Sequence, residues 1–132
     1  MKIYLAVPLS FGRNLAFAAK IAEVIERLGH QITSKWVLHD DPSWGLRPDE
    51  IRKRDFKTIE ESDVLIADIT RPSIGVGMEI MYALLQGKTV ICITKYGLPI
   101  PGLILGDKRI KIIVILSEDE DLEQKLKEVI GT

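Results

Sequence analysis

Short apolar runs rich in β-branched residues alternate along this chain with longer stretches whose apolar positions recur every three or four residues. The first kind predicts strands and the second amphipathic helices. Ile3 to Val7 reads as a first strand. A loop from Pro8 to Asn14 leads into a helix with Leu15, Ala18, Ile21, Ala22, Ile25 and Leu28 on one face, closed by Gly29. Gln31 to Val37 reads as a second strand. A polar loop from His39 to Pro48 follows, with Pro48 suited to the first turn of a helix running to about Ser62. Asp63 to Ile69 is apolar nearly throughout, as a strand covered on both faces must be. Thr70 to Gly77 reads as a glycine-rich loop, followed by a helix to Gly87. Thr89 to Thr94 and Ile110 to Leu116 supply two more strands around a Pro/Gly-rich loop. Ser117 and Glu120 then form a capping box for a last helix ending near Gly131.

Five strands separated by helices predict an α/β protein, a single domain over residues 1–132 built on a doubly wound parallel sheet. Right-handed crossovers place every strand-to-helix loop on one edge of that sheet. Ligands of such folds bind where the strand order reverses, so the loops after Val7 and after Ile69 are the ones to inspect. A net charge of -1 with both signs interspersed argues against a broad footprint for long nucleic acid, and leaves room for a small phosphorylated ligand. No apolar run reaches the ~18 residues of a membrane span, and the first residues do not read as a signal segment, so a cytoplasmic location is expected. Cys92 is the only cysteine, which excludes an intramolecular disulfide, and its apolar surroundings predict a buried thiol. His39, Asp40 and Asp41 have no second histidine close by, so neither metal nor cofactor is expected.

The remaining polar residues carry the candidate chemistry. In Ser73-Ile74-Gly75-Val76-Gly77, the glycines let backbone amides approach a ligand, and the helix start behind them favours an anion. A mere tight connection would look the same. Glu79 is expected in the first turn of that helix, where the macrodipole keeps it ionised as a nucleophile or simply as a dipole complement. Asp55 lies with Ile51 and Ile59 on one helical stripe, so partial desolvation should let it hold a proton. The alternative is an ion pair with Arg52, Lys53 or Arg54. One carboxyl biased toward ionised and one toward protonated is the division of labour in retaining glycosyl transfer. Tyr4 could turn its hydroxyl to a pocket or fill the core. Trp36 and Trp44 flank the polar loop and could stack on a base or pack inside. Ser10, Arg13 and Asn14 could donate to an anion or stay solvated.

Ser62-Asp63-Val64-Leu65-Ile66-Ala67-Asp68, followed by Thr70-Arg71-Pro72-Ser73-Ile74-Gly75-Val76-Gly77-Met78-Glu79, resembles the signature of the nucleoside 2-deoxyribosyltransferases and their hydrolytic relatives, the 2′-deoxynucleoside 5′-phosphate N-hydrolases. Lys2-Ile3-Tyr4-Leu5-Ala6 is similar to their opening strand. The resemblance implies a flavodoxin-like or Rossmann-like sheet of order 2-1-3-4-5, with Glu79 as nucleophile, Asp55 as acid and Tyr4 positioning the nucleophile. It places Ser73 against a 5′-phosphate and assigns substrate binding to the first loop, Val7, Pro8, Leu9, Ser10 and Arg13. Trp36, Gly75 and Gly77 complete the expected binding set. Transferases often carry an acid where Ser73 stands, and a serine there suits a monophosphate better. The implied reaction is hydrolysis of a 2′-deoxynucleoside 5′-monophosphate through a glycosyl-enzyme intermediate. The alternatives are a transferase moving deoxyribose between bases and a non-catalytic nucleotide-binding module. A homodimer or larger homo-oligomer is also implied, with the loop from Tyr96 to Gly106 as an interface element. The sequence departs from the family at Val7, often glycine, and at Met78, where the hydrolases have an aromatic residue. Ile100-Pro101-Gly102-Leu103 stands where the hydrolases supply a serine to a neighbouring subunit.

Overall fold

The computed structural model describes residues 1–10, 12–117 and 122–131. Five strands form one parallel sheet: β1 (Lys2–Ala6), β2 (Gln31–Ile32), β3 (Val64–Asp68), β4 (Thr89–Lys95) and β5 (Ile110–Ile115). Their order is β2-β1-β3-β4-β5, so the chain reverses direction across the sheet at β1 and β3, as expected for a doubly wound fold. Helices α1 (Leu15–Arg27), α2 (Pro48–Glu60), α3 (Ile74–Leu85), α4 (Gly102–Leu105) and α5 (Leu122–Ile130) flank it, α1 packing beside α5 and α2 beside α3. The whole of β3 and Val90 to Ile93 of β4 are buried, which explains their unbroken apolar sequence. Cys92 lies inside that layer, where burial pushes its thiol up to about 12.

Local chemistry sets the element ends. Asn14 caps α1 by accepting from the Phe17 amide at 3.0 Å, and Gly29 ends it with a left-handed φ of +91°. Between them, Ile21 and Ile25 are fully buried against the sheet, worth about 2 kcal/mol each. β2 is shorter than the apolar pattern predicts. The buried Ser34 hydroxyl replaces the ladder there, accepting from the Leu5 amide and donating to the Leu5 carbonyl, both at 2.8 Å. A 3₁₀ turn, Lys35–Leu38, follows in place of strand. The glycine-rich loop is also shorter than expected, because Ser73 accepts from the Val76 amide at 3.2 Å and starts α3 at Ile74. Gly75 and Gly77 are therefore helical residues. Within the Pro/Gly-rich loop the chain forms the short helix α4. Glu120 of the expected capping box lies outside the described residues.

Candidate active site

Three elements converge beside β1. Tyr4 is fully buried on the strand, and its hydroxyl donates to Oε2 of Glu79, on α3. Asp55 comes from the flank of α2 that packs against α3, close enough for its charge to act on both Glu79 and Tyr4. Ile59, one turn further along α2, is 1% exposed and Ile51 is half-buried, which gives Asp55 the partly desolvated setting that the stripe predicts. Arg54 Nε donates to Asp55 Oδ1 at 2.9 Å, so the ion-pair alternative is realised as well.

The electrostatics differ from the sequence expectation. Counting Ile74 as the first residue of α3, Glu79 is the sixth, and no acid occupies the first turn. The macrodipole fades within one turn, so it does little to keep Glu79 ionised. Burial dominates and pushes this carboxyl up to about 7, with the charge of Asp55 adding to it while the Tyr4 hydrogen bond and Arg54 pull the other way. Asp55 is also raised by burial, against the hydrogen bond and charge of Arg54. Both carboxyls thus favour the proton more than in water, in contrast to the one-ionised, one-protonated division. The phenol of Tyr4 is held far above its usual range, first by burial and then by the nearby Glu79 carboxylate, so it stays a hydrogen-bond donor.

Trp36 is only 5% exposed. Its ring meets Tyr4 edge-on at a centroid distance of 5.9 Å, and the Arg54 guanidinium lies 4.0 Å over its face. It therefore supports the site from behind, with one face already occupied. Trp44 is the half-exposed tryptophan. It adopts a left-handed φ of 53°, a costly conformation for a bulky residue, with its ring edge-on to Trp36 and His39.

In the first loop, Val7 and Pro8 are buried while Leu9 and Ser10 face outward. Arg13 donates through Nη2 to the Val37 carbonyl, whereas Nε and Nη1 are buried without a hydrogen-bond partner among the described residues. Burial lowers its pKa, and Asp40 acts in the opposite direction. Ser73, Gly75 and Gly77 lie at the start of α3, before Glu79 by up to about one and two-thirds turns of helix. The sequence reading missed two arginines here. Arg71 donates to the Gly12 carbonyl and so ties the loop after β3 to the loop after β1. Arg54 was visible only as a neighbour of Asp55.

A separate cleft of about 560 Å³ opens on the other flank of α3, between Ser73, Gly77, Ile80, Met81 and Leu84 and the segment carrying Leu98, Pro99, Pro101, Leu103 and Ile104. It is mostly apolar and contains none of Tyr4, Asp55 and Glu79. Among the described residues, no three His, Cys, Asp or Glu side chains gather as a metal site. Nor is any described helix long and apolar enough to cross a membrane.

Fold and site define the class: a doubly wound α/β protein in which a tyrosine hydroxyl bonds one carboxyl beside the first strand, with a second carboxyl in electrostatic range of both. The chain belongs to the nucleoside 2-deoxyribosyltransferase family, whose model matches residues 3–125. It is 43% identical over 96 residues to a Thermofilum pendens protein named "Putative 2'-deoxynucleoside 5'-phosphate N-hydrolase 1", covering 70% of this chain and 67% of that one. A Trichoplax adhaerens protein of the same name is 36% identical over 108 residues, covering 79% and 74%. Among solved structures, a CMP N-glycosidase of Clostridium botulinum superposes with a TM-score of 0.74 over 100% of both chains. At 20% identity, that likeness concerns the fold.

Proposed function

We propose that this chain hydrolyses the N-glycosidic bond of 2′-deoxynucleoside 5′-monophosphates, releasing free base and deoxyribose 5-phosphate. At the level of bond type, the named relatives make it an N-glycosidase. The observation that carries the finer reading is the Tyr4–Glu79 hydrogen bond with Asp55 in electrostatic range of both. Glu79, when ionised, attacks C1′ as the bond to the base breaks, and Asp55 gives its proton to the departing base. The cationic character that develops on the sugar is stabilised by the Glu79 carboxylate, which then forms the glycosyl ester. Tyr4 holds the attacking carboxylate in one orientation. Asp55, now a carboxylate, takes a proton from water as that water attacks C1′ and frees Glu79. A 2′-hydroxyl would withdraw electrons from the sugar cation, so ribonucleotides react poorly.

The phosphate lies against the start of α3. Ser73 accepts from the Val76 amide and keeps its own proton to donate, and Arg13, with two buried nitrogens that lack a hydrogen-bond partner among the described residues, supplies the cation of the first loop. The protein acts in the cytoplasm as a homodimer or larger assembly. In support, Ile74, Met78, Met81 and Leu85 form an outward apolar stripe at helical spacing on α3, with exposures of 86, 50, 47 and 69%.

Chromatography of the products from each of the four deoxynucleoside monophosphates tests the reading, which expects free base and deoxyribose 5-phosphate. Adding a second free base separates the transferase alternative, because a new nucleoside would then appear. Thermal stabilisation by a monophosphate with no base released would instead mark a binding module.

A further inference from the structure

We propose that Arg54 is a positioning residue for this reaction, one that holds the Asp55 carboxyl in place and ties it to Trp36 and to the polar loop 39–47. The proposal rests on the reading of Asp55 as the acid and goes beyond it, since Arg54 itself touches neither sugar nor base in that scheme.

Neighbouring residues on a helix point about 100° apart, so an arginine and the aspartate that follows it do not meet by default. Here they do, because the guanidinium is fixed at three places. Nε donates to Asp55 Oδ1 at 2.9 Å, Nη1 donates to the Pro42 carbonyl at 2.9 Å, and the guanidinium carbon lies over the Trp36 ring, 4.0 Å from its centroid. One edge, one end and one face of the fork are each engaged. The side chains of Arg54 and Asp55 are 15% and 17% exposed, unlike the solvated pairs Arg27–Glu23 and Arg47–Asp49 at the surface. Exposed pairs of that kind contribute little, whereas a shielded and stacked one fixes the rotamer of its carboxylate.

The charged and titratable groups around this point come from three elements. Asp55 meets Arg54 on its own helix, Glu79 from α3 and Tyr4 from β1, and Glu79 in turn meets Tyr4, Asp55 and Arg54. The loop 39–47 adds His39, packed on Trp44, and Asp41, held by the Ser43 hydroxyl at 2.6 Å, while Asp40 lies toward Arg13. Arg54 is the cation acting on both catalytic carboxyls, and at each it opposes the effect of burial. During turnover Asp55 passes its proton to the leaving base and becomes a carboxylate. The guanidinium stabilises that anion, then releases nothing itself as Asp55 takes a proton back from water.

The test compares the full-length wild-type chain with R54Q and R54K. Base release from deoxynucleoside monophosphates is followed from about pH 5 to about pH 9, across both limbs of the profile. Without the cation, both carboxyls keep their protons to higher pH. R54Q should therefore move the whole bell upward by about one unit and lower kcat about tenfold with KM little changed. R54K keeps the charge and loses the fork, so its bell stays in place while kcat falls several-fold. An unmoved bell in R54Q, or full kcat in R54K, overturns the proposal. If R54Q does not fold, the kcat of R54K still decides. A ¹³C-carboxyl NMR titration of Asp55 and Glu79 gives a readout without turnover: both should titrate at higher pH in R54Q, and unchanged titrations overturn the proposal. A wild type that releases no base from any monophosphate defeats the hydrolase reading alone, and the titration then judges Arg54.

Discussion

On the side of α3 that faces α2, polar side chains are held by directional contacts. Glu79 receives the Tyr4 hydroxyl, and one turn on Tyr82 donates to Glu60 while stacking 4.3 Å from Phe56, itself under Arg52. On the side that faces residues 96–107, the same helix presents Gly77, Ile80, Met81 and Leu84 to an apolar cleft of about 560 Å³. Directional bonds fix geometry within tenths of an ångström, as reacting groups require. Apolar contacts are non-directional and suit a surface that accepts a neighbour. The two flanks teach that a large cavity and a reactive one need not coincide. Here the chemistry sits on the tight side.

Substitutions can separate the flanks, and the largest effect is expected at Glu79. Glu79→Ala should lower base release on the order of 10⁴-fold with the circular dichroism spectrum intact. Near-normal turnover in that variant would remove the nucleophile from the α2-facing flank altogether. Asp55→Asn should cost about 10²–10³-fold in kcat, less for nucleotides whose base leaves easily. An equal loss for good and poor leaving groups would show that Asp55 is not the acid.

A smaller effect concerns stability. Burial holds Glu79 at about 7 against an ordinary 4.5, so the folded chain keeps a proton that the unfolded chain has lost between these values. The contribution is complete below about 4.5 and is lost as pH rises through about 7. Glu79→Gln should consequently be more stable than wild type in urea at about pH 8, by on the order of 2 kcal/mol, and the gain should shrink toward about pH 5. A gain independent of pH would mean that this carboxyl titrates normally. Least of all should Leu85→Glu, on the outward stripe, disturb kcat, with a change within about twofold. Its expected result is a later elution on size-exclusion chromatography, and an unaltered elution volume would place self-association elsewhere.

Much of this architecture could be read from the chain. The apolar run from Asp63 to Ile69 reads as a strand covered on both faces and Thr89 to Thr94 as another strand, and right-handed crossovers then leave few strand orders. Asp55 was legible too, because its place between Ile51 and Ile59 depends only on helical periodicity. Where sequence misled, a side chain had taken over a backbone role. Ser34 mimics a strand partner for Leu5, so the apolar Trp36-Val37 pair looks like strand but turns as 3₁₀ helix. Ser73 opens α3 ahead of two glycines that read as loop, which moves Glu79 from the first turn into the second and exchanges dipole control for burial. Arg54 could be read only as one of three possible ion-pair partners of Asp55. Its meaning depends on Pro42 and Trp36, which only the folded chain brings to it.

The brevity of β2 has a further consequence. A sheet ending in two paired residues, with Ser34 already occupying both polar groups of Leu5, gives an incoming strand almost no ladder to extend. At the opposite margin the Lys125 ammonium sits on the Val114 carbonyl, placing a charge where a foreign backbone would have to dock. Both margins are thus poor templates for amyloid-like growth, and a concentrated solution of this protein should resist fibril formation even though nearly half of its residues are hydrophobic.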